Sequence, residues 1–495
     1  MAQDSGFPAP AYSETVLAVN FRDAQQYFLD ALIQIHYAHV LMLARQKIIS
    51  LSVARRCLEG LDALDVAGIR SAPYKGQCED LFFYVQEALE RLCGPENAGA
   101  MHTARSRNDI GITLYRMGVR REILSLVRYL AEARRVLLAR TKEHVHTVMP
   151  AYTHTQPAQP TTLAHYLLAV VELLARDIRR LIAAFATVNR SPMGACAITT
   201  TGFPIDRDWV AALLGFEGLQ FNSYGAIAAT DYLTETAGAV ATAMINLGKV
   251  AQDLLLWSTA EFGFLRLSDA WVQISSIMPQ KRNPVPFEHM RVLAGKAFAQ
   301  AQGVGVTLHN TPFGDIVDSE DDLQPLVMSM MADAIRAARL FAGAFEACEI
   351  NRERMAARAH SDFLTVTELA DTLVRGDALT FTQAHRLVSA AVRRLRGHYA
   401  EDAMVDSVLA LAPENIGRAL HTPRPDLLRA LNPEYFITIR TIAGGPASPA
   451  VLSALESAEA EAAADDCWLR EKSDLLDQFP ARMQSARQSA EDTRR

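Results

Sequence analysis

Residues 274–286 read Ile-Ser-Ser-Ile-Met-Pro-Gln-Lys-Arg-Asn-Pro-Val-Pro, and this stretch separates long helical patterns on either side. Its three prolines lack a backbone N–H and bias the residues before them away from α-helical geometry. The stretch therefore predicts an irregular loop, which carries two serines, a lysine and an asparagine between Ser275 and Asn283. A polar loop held between rigid helices is a good position for chemistry, although on composition alone a surface connector is an equally good interpretation.

Long stretches with helical spacing of apolar residues flank this loop. They predict five long helices, over residues 107–144, 161–189, 226–262, 287–308 and 323–348. Five long helices with short breaks indicate a mainly α fold with an elongated central bundle. Small residues such as Ala237, Gly238 and Ala241 permit close helix approach, and a bundle that is apolar on more than one face usually buries the extra face against other subunits.

The two ends of the chain have shorter patterns. We expect an irregular arm over residues 1 to about 20, two or three moderate helices over residues 23–92, and helices of about ten to fifteen residues after Asn351. These boundaries predict three domains. They are an N-terminal helical domain (1–110), a central long-helix bundle with the loop at 274–286 (111–355) and a C-terminal helical domain (356–495).

The composition is that of a globular protein without a nucleic-acid or membrane signature. Half of the 495 residues are apolar, 21% are charged, and the net charge of −7 leaves no basic surface for nucleic acid. The N-terminus lacks a signal-peptide pattern, and no window has the uncharged length of a membrane span. Six scattered cysteines favour reduced thiols over a disulfide framework. We therefore expect a cytoplasmic protein.

Two other polar segments begin long helices. Residues 103–109, Thr-Ala-Arg-Ser-Arg-Asn-Asp, open the first helix, where backbone N–H groups and the side chains of Arg105, Arg107 and Asn108 suit a carboxylate. The alternative is a solvated basic helix start. Residues 152–160 precede the second helix and contain His154, which can change charge near neutral pH. A lone loop histidine is more often simply exposed.

The remaining polar groups have simple structural interpretations. Asn222, Ser223 and Asp231 suit helix capping, and Glu288 lies in the first turn of a helix, where the dipole favours a carboxylate. The acidic run at residues 315–322 lacks the glycine and spacing of a calcium loop and is most simply a solvated loop. No metal site is expected.

Taken together, these segments resemble the fumarase/aspartase superfamily, and within it the argininosuccinate lyases most closely. Residues 103–109 and 152–160 are similar to that family's first and second motifs, and residues 275–284 to the superfamily's signature loop. Further similar stretches follow the family's order along the chain: Met193-Gly194, 203–207, 261–269, 369–375, Ala384-His385 and Gly444-Gly445.

The resemblance implies an α-helical homotetramer in which segments of three subunits build each active site. It also implies a β-elimination from an N-substituted aspartate. In this reaction a proton leaves the carbon beside a carboxylate, a C–N bond breaks, and fumarate and an amine depart. The implied partner is a small-molecule substrate, and neither a cofactor nor a metal is needed. Argininosuccinate, which would give arginine and fumarate, is the first expectation.

The resemblance also assigns roles by motif position. Ser275 is expected to be the catalytic base, with Lys281 and Asn283 stabilising charge on the carboxylate. His154, with Glu288 as its partner, is expected to assist proton delivery to the leaving nitrogen or to orient the group that delivers it. The expected substrate-binding residues are Arg107, Asn108, Thr153, Ser106, Ser276, Asn283 and Gln156.

Several positions depart from the family pattern. Counting from the signature loop, the family's substrate-binding tyrosine, glutamine and lysine fall on Asp315, Glu320 and Leu323. Losing donors and gaining carboxylates should weaken binding of a substrate carboxylate and suit a substrate with extra cationic amino groups. The other departures are Ile274 for a glycine, Ile110 for a glutamine, Phe82 for a histidine and Thr230 for an arginine.

Three alternatives therefore stay open. The first is a lyase of the same type that acts on a different N-substituted aspartate. The second is a non-catalytic structural homologue, although the residues of the loop chemistry are all present. The third is adenylosuccinate or carboxymuconate chemistry on the shared fold, against which the Arg105-Ser-Arg-Asn-Asp109 pattern argues.

Overall fold

Helices begin earlier in the chain than the sequence pattern predicts. The structure, a computed structural model, describes residues 7–492. The expected irregular arm is wrong for residues 10–20, which form α1 (Pro10–Tyr12), a π-helical turn (Ser13–Leu17) and the start of α2 (Ala18–Tyr27). Residues 1–6 lie outside the described part. Leu17 and Phe21 are buried, so contacts with distant residues hold a segment whose local pattern is weak.

The N-terminal region contains more helices than expected. They are α3 (Leu29–Arg45), α4 (Leu51–Asp62), α5 (Val66–Ser71), α6 (Leu81–Cys93) and α7 (Pro95–Met101), so the expectation of two or three was wrong. The side chains of Ser50, Asp65 and Asp80 each accept a backbone N–H three residues onward. Each cap starts a new helix, which divides the pattern into short pieces.

The predicted long helices of the centre are confirmed to within a few residues. They are α8 (Arg107–Glu143), α9 (Leu163–Val188), α12 (Asp231–Trp257), α13 (Val285–Leu308) and α14 (Gln324–Glu346), with the short α10 (Arg207–Leu213) and α11 (Ser223–Ala228) between them. Their apolar faces share one continuous core, and the fold is mainly α, as predicted.

A β-hairpin lies where the sequence indicated only a break. β1 (Val148–Thr153) pairs antiparallel with β2 (Gln156–Thr162), from Val148 opposite Thr162 to Thr153 opposite Gln156. Pro160 lies inside β2, and the side chain of Thr162 caps α9. The hairpin was missed because its prolines replace the alternating apolar pattern of a strand.

Two smaller strand pairs surround the signature loop. β3 (Leu265–Leu267) pairs with β6 (Cys348–Ile350), and β4 (Gln273–Ile274) pairs with β5 (Arg282–Asn283). Arg140, near the end of α8, donates to the carbonyl of Cys348 at 2.6 Å. This contact fixes the strand pairs to the C-terminal end of α8.

One helix, Asp231–Trp257, has the length and composition to cross a membrane, and half of its most apolar window is buried in the fold. Its other face is partly open in the single chain. An added Cβ at Gly238 would meet nothing within 4 Å, and Ile245 is exposed. Burial of this kind is typical of a core helix in a bundle that continues into neighbouring subunits.

The C-terminal region follows β6. It consists of α15 (Arg352–Ala359), α16 (Val366–Asp377), α17 (Phe381–Leu395), α18 (Glu401–Ile416), α19 (Arg424–Ala430), α20 (Pro433–Thr438), α21 (Ser448–Asp477) and α22 (Phe479–Asp492). The 30-residue α21 is longer than the predicted pattern of short helices. The buried Arg134 of α8 donates to Asp465 of α21, which fixes α21 against the central bundle. The division into three domains remains a prediction.

Candidate active site

The start of α8 is held by a buried carboxylate. Asp109 accepts backbone N–H groups from Ser106, Gly194 and Cys196 at 2.8–3.0 Å. Burial raises the pKa of Asp109 to about 6, although these hydrogen bonds lower it. Gly194 has a φ of 86°, and a side chain there would collide with Arg207. Asp109 thus joins the first motif to the segment that follows Met193, and these hydrogen bonds fix the backbone of the motif.

Arg105 is not available to a substrate carboxylate. It is 6% exposed, and it contacts Nδ1 of His36 at 2.8 Å and Nδ1 of His102 at 3.4 Å. Phe82, one of the departures from the family pattern, packs against the rings of both histidines. Burial, with Arg105 nearby, holds the pKa of His36 well below its usual range, so His36 is a neutral acceptor. Arg105 therefore supports the motif from behind.

Arg107 and Asn108 reach a cavity of about 280 Å³. Arg107 forms ion pairs with Asp80 at 2.9 Å and Glu79 at 3.2 Å. Asn108 donates from Nδ2 to Asp315 at 2.6 Å and to the carbonyl of Ala197 at 3.3 Å. Arg107 and Asn108, which were expected to bind substrate carboxylates, therefore already have partners within the chain.

Ser106 has a structural role at this point. It is the N-cap of α8, where its hydroxyl oxygen accepts the backbone N–H of Asn108 at 3.4 Å. The same hydroxyl donates to Oδ1 of Asn108 at 3.0 Å. Ser106 thus orients Asn108, which is a different task from the substrate binding expected of it.

The acidic loop between α13 and α14 forms another part of the cavity wall. Asp315, Glu320 and Asp321 line it, and the hydroxyl of Tyr115 donates to Asp321 at 2.8 Å. Burial, together with Asp315 and Asp321, raises the pKa of Glu320 to about 8. The simple interpretation as a solvated loop holds for the exposed Asp315 and Asp321, whereas Glu320 is half-buried. Leu323, by contrast, is 2% exposed and belongs to the core.

Sequence reasoning missed two contributors to this cavity. The acidic run has no tyrosine of its own, but α8 supplies Tyr115, which lies 206 residues before Asp321 in the chain. Sequence reasoning also did not single out Glu79 and Asp80, which are the partners of Arg107. Separation along the chain concealed both, since no local signal marked either contact.

The tip of the hairpin carries the second motif. Thr153, His154, Thr155 and Gln156 are all exposed. The two-residue turn has left-handed backbone at His154 (φ 50°) and Thr155 (φ 60°), a conformation that is strained for a β-branched residue. The hydroxyl of Thr155 donates to the carbonyl of His154 at 2.6 Å. The turn holds the His154 imidazole in solvent at the end of a rigid arm.

The signature loop is irregular over residues 275–281, as predicted, but α13 begins at Val285, inside the expected loop. The hydroxyl oxygen of Ser275 accepts backbone N–H groups from Ile277 at 3.3 Å and Met278 at 3.1 Å. Arg282 forms an ion pair with Asp269 and donates to the carbonyl of Leu267 at 2.8 Å. These contacts anchor the base of the loop and direct two donors at Ser275.

Other signature residues are open to solvent. Ser276, Lys281 and Glu288 are exposed, and Asn283 is half-buried in β5. Within residues 7–492 of one chain, no hydrogen bond or ion pair joins His154 to Glu288, so the expected partnership is absent from the single chain. The same part of the chain has no group of three or more His, Cys, Asp and Glu side chains placed to hold a metal.

The candidate residues lie at opposite ends of the bundle. The first motif and the acidic loop are at the N-terminal end of α8, whereas the strand pairs beside the signature loop are fixed at its C-terminal end. Tyr152 of the hairpin packs on Phe262 at that same end. A helix of 37 residues is about 55 Å long. One chain therefore does not bring the three motifs together.

Comparison with known proteins identifies the family of this chain. A lyase family model matches residues 79–299. Argininosuccinate lyase 2 of Agrobacterium fabrum is 40% identical over 90% of this chain and 88% of its own length. The argininosuccinate lyase of Methanoculleus marisnigri is 37% identical over 92% of both chains.

Among solved structures, an EDDS lyase variant with bound fumarate superposes with a TM-score of 0.87 at 30% identity. That match covers 99% of this chain and 97% of the other. Identity at this level over nearly the whole length of the relatives extends beyond a shared fold. The chain therefore belongs to the argininosuccinate lyase family of carbon–nitrogen lyases, within the fumarase/aspartase superfamily.

Proposed function

We propose that the protein eliminates an amine from an N-substituted L-aspartate and releases fumarate. Ser275 takes the proton from the carbon beside a carboxylate, and the electron pair left behind spreads onto that carboxylate. The pair then forms the carbon–carbon double bond while the C–N bond breaks. The leaving nitrogen receives a proton as it departs, so the products are fumarate and a neutral or protonated amine.

The hydrogen bonds to Ser275 carry this proposal. A serine hydroxyl is a weak base unless its alkoxide is stabilised. The backbone N–H groups of Ile277 and Met278 both donate to its oxygen, and such fixed donors stabilise negative charge as it develops. Serine turns of this kind also occur in ordinary loops, and here the same loop adds Lys281, a cation that can stabilise the alkoxide.

The other roles follow from position in the motifs. Lys281, on the same loop, stabilises the serine alkoxide, and with Asn283 it stabilises the charge on the substrate carboxylate. His154, with Glu288, assists proton delivery to the leaving nitrogen. The proposed substrate-binding residues are Arg107, Asn108, Thr153, Ser276, Asn283 and Gln156, with Ser106 acting through Asn108.

A homotetramer is part of this proposal. Motifs that lie about 55 Å apart on one chain can meet only if one end of a subunit lies beside the opposite end of another. The long helices offer a surface for such packing, since Val292 is 62% and Val306 75% exposed on α13. Three subunits would then contribute to each site. The cytoplasmic location remains a prediction from composition and the N-terminal sequence.

Argininosuccinate is the first substrate to test, because several relatives carry that name at 34–40% identity. A second candidate is a different N-substituted aspartate. The acidic wall of the cavity favours it, and so does the structural similarity to EDDS lyase.

The experiment is fumarate release from argininosuccinate, followed by ultraviolet absorbance, with Ser275→Ala as the inactive comparison. Turnover by the native protein only would support both the reaction and the substrate. Without turnover, the reverse reaction with fumarate and a set of amines tests the second candidate. Failure with every amine would reject the lyase proposal and leave the non-catalytic homologue.

A further inference from the structure

The cavity beside Arg107 and Asn108 has an unusual balance of charge. Five carboxylates line it, those of Glu79, Asp80, Asp315, Glu320 and Asp321, against the single guanidinium of Arg107. Two of the five are already paired with Arg107. Within the described chain, the other three form no ion pair with a cation. Asp315 accepts from Asn108, Asp321 accepts from Tyr115, and Glu320 contacts Asp315.

Placing the carboxylates of Asp315 and Asp321 beside the half-buried Glu320 is unfavourable unless a cation joins them. Burial and the neighbouring Asp315 raise the pKa of Glu320 to about 8, because a second negative charge is resisted there. An incoming cation removes this resistance. A carboxylate placed against these three residues meets repulsion instead, and such like-charge contacts are an effective means of rejecting a ligand.

The cavity is also close in size to a small-molecule site. Its volume of about 280 Å³ lies just under the usual range for such sites, about 300–1,000 Å³. Apolar side chains of Leu17, Phe28 and Leu32 line it as well. This combination of acidic and apolar lining suits a short chain of methylene groups that carries amino or guanidino groups.

Position connects this cavity to the reaction. Arg107 and Asn108, the proposed holders of the substrate carboxylates, belong to its lining. We infer that the cavity receives the amine leaving group, and that Asp315, Glu320 and Asp321 select amines with additional positive charge and no carboxylate of their own. This inference rests on the proposed function. It predicts that arginine, which carries an α-carboxylate, is a poorer amine for this cavity than a cationic amine without a carboxylate.

The test compares amines that differ only in a carboxylate. The full-length protein is incubated with fumarate and either arginine or agmatine, and in a second pair with ornithine or putrescine. Fumarate loss is followed by absorbance and the adduct by mass spectrometry. We expect kcat/KM to be at least tenfold higher for the carboxylate-free member of each pair. Equal values, or a preference for arginine and ornithine, would overturn the inference while supporting the lyase reaction.

Variants assign the selectivity to the wall. Glu320→Gln and Asp315→Asn should each reduce kcat/KM for agmatine about tenfold and change that for arginine much less. Asp318→Asn is the matched control, because Asp318 is an exposed carboxylate of the same loop that does not line the cavity. Unchanged selectivity in Glu320→Gln and Asp315→Asn would exclude these residues as its source.

A binding measurement distinguishes the two possible failures. The melting temperature of the native protein is recorded without fumarate, with agmatine or arginine at equal ionic strength. If agmatine raises the melting temperature, arginine does not, and Glu320→Gln abolishes the effect, the cation site is supported even if no amine reacts with fumarate. The missing reaction would then count against the proposed elimination only. Equal stabilisation by both ligands, or by neither, would count against the cation site.

Discussion

Ser275 is the residue on which the proposed chemistry depends. Ser275→Ala removes the base and leaves the donors of Ile277 and Met278 without their acceptor. General-base catalysis contributes about 10²–10⁴-fold, so turnover should fall by at least about a hundredfold. The measurement is fumarate release at saturating substrate, with assembly checked by size-exclusion chromatography. Gln280→Ala is the control and should cost less than about tenfold, because Gln280 is an exposed residue of the same loop with no proposed role. Retained activity in Ser275→Ala would remove this residue as the base.

Glu320 should make stability depend on pH. Its pKa is raised to about 8 from an ordinary value of 4.5, so the folded protein holds this proton more tightly than the unfolded chain. Between those two values the unfolding free energy falls as the pH rises. In this range the unfolded chain has released the proton, whereas the folded protein still binds it. Glu320→Gln should therefore gain stability over the native protein as the pH rises.

The measurement is urea unfolding of native protein, Glu320→Gln and Asp318→Asn at pH 5 and pH 9, at one protein concentration. The difference between Glu320→Gln and native protein should be larger at pH 9 than at pH 5. For Asp318→Asn the difference should be the same at both values. A Glu320→Gln difference that does not change with pH would show that this carboxyl is not strained by its neighbours.

At the scale of elements, the hairpin tip carries backbone strain. Thr155 has a φ of 60°, a region in which a β-branched residue costs about 1–2 kcal/mol, whereas asparagine tolerates it. Thr155→Asn should therefore stabilise the protein by up to about 1 kcal/mol, seen as a raised midpoint in urea. Thr153→Asn, in the extended strand before the turn, is the control and should not stabilise. If Thr155→Asn is destabilised, the hydrogen bond of the Thr155 hydroxyl contributes more to the free energy of unfolding than the backbone strain costs.

The elements were predictable from the sequence where apolar spacing alone determines them. The five long helices and the irregular course of residues 275–281 follow from periodicity and proline placement. The hairpin did not, because Pro150, Pro157 and Pro160 disguise its strands. The early helices at residues 10–20 also escaped, since buried contacts with distant residues stabilise them.

The candidate site was predictable as a set of motifs but not as an arrangement. The resemblance placed Arg107 and Asn108 near a substrate, yet Arg105 in the same motif is buried against His36 and His102. Neighbouring residues on a helix start face different directions, and only packing decides which of them faces solvent. The partnership between Tyr115 and Asp321, 206 positions apart, was likewise outside the reach of local pattern.

At the scale of the whole molecule, the separation of motifs predicts complementation between defective chains. Ser275 and Asn108 lie at opposite ends of the bundle, so each site should take them from different subunits. Ser275→Ala and Asn108→Ala, each inactive alone, should regain activity when unfolded and refolded together. Random assortment gives both native residues to about a quarter of the sites.

The control for this experiment uses two changes in one loop. Ser275→Ala refolded with Lys281→Ala should stay inactive, because both residues come to a site on the same segment. Activity is measured by fumarate release, and mixed assembly is verified by native mass spectrometry of differently tagged chains. If the Ser275→Ala and Asn108→Ala mixture stays inactive although mixed tetramers form, the site is not shared between subunits as proposed.

The 37-residue length of α8 also determines how the protein behaves when it is scarce. A newly made chain carries every proposed reactive group but keeps the motifs about 55 Å apart, so under the proposed assembly it should stay inactive until it joins other chains. Turnover per chain should then climb with concentration through the range of assembly and level off above it. If the sites are shared as proposed, a cell that makes only traces of the protein gains almost no activity, because the affinity between subunits sets that threshold.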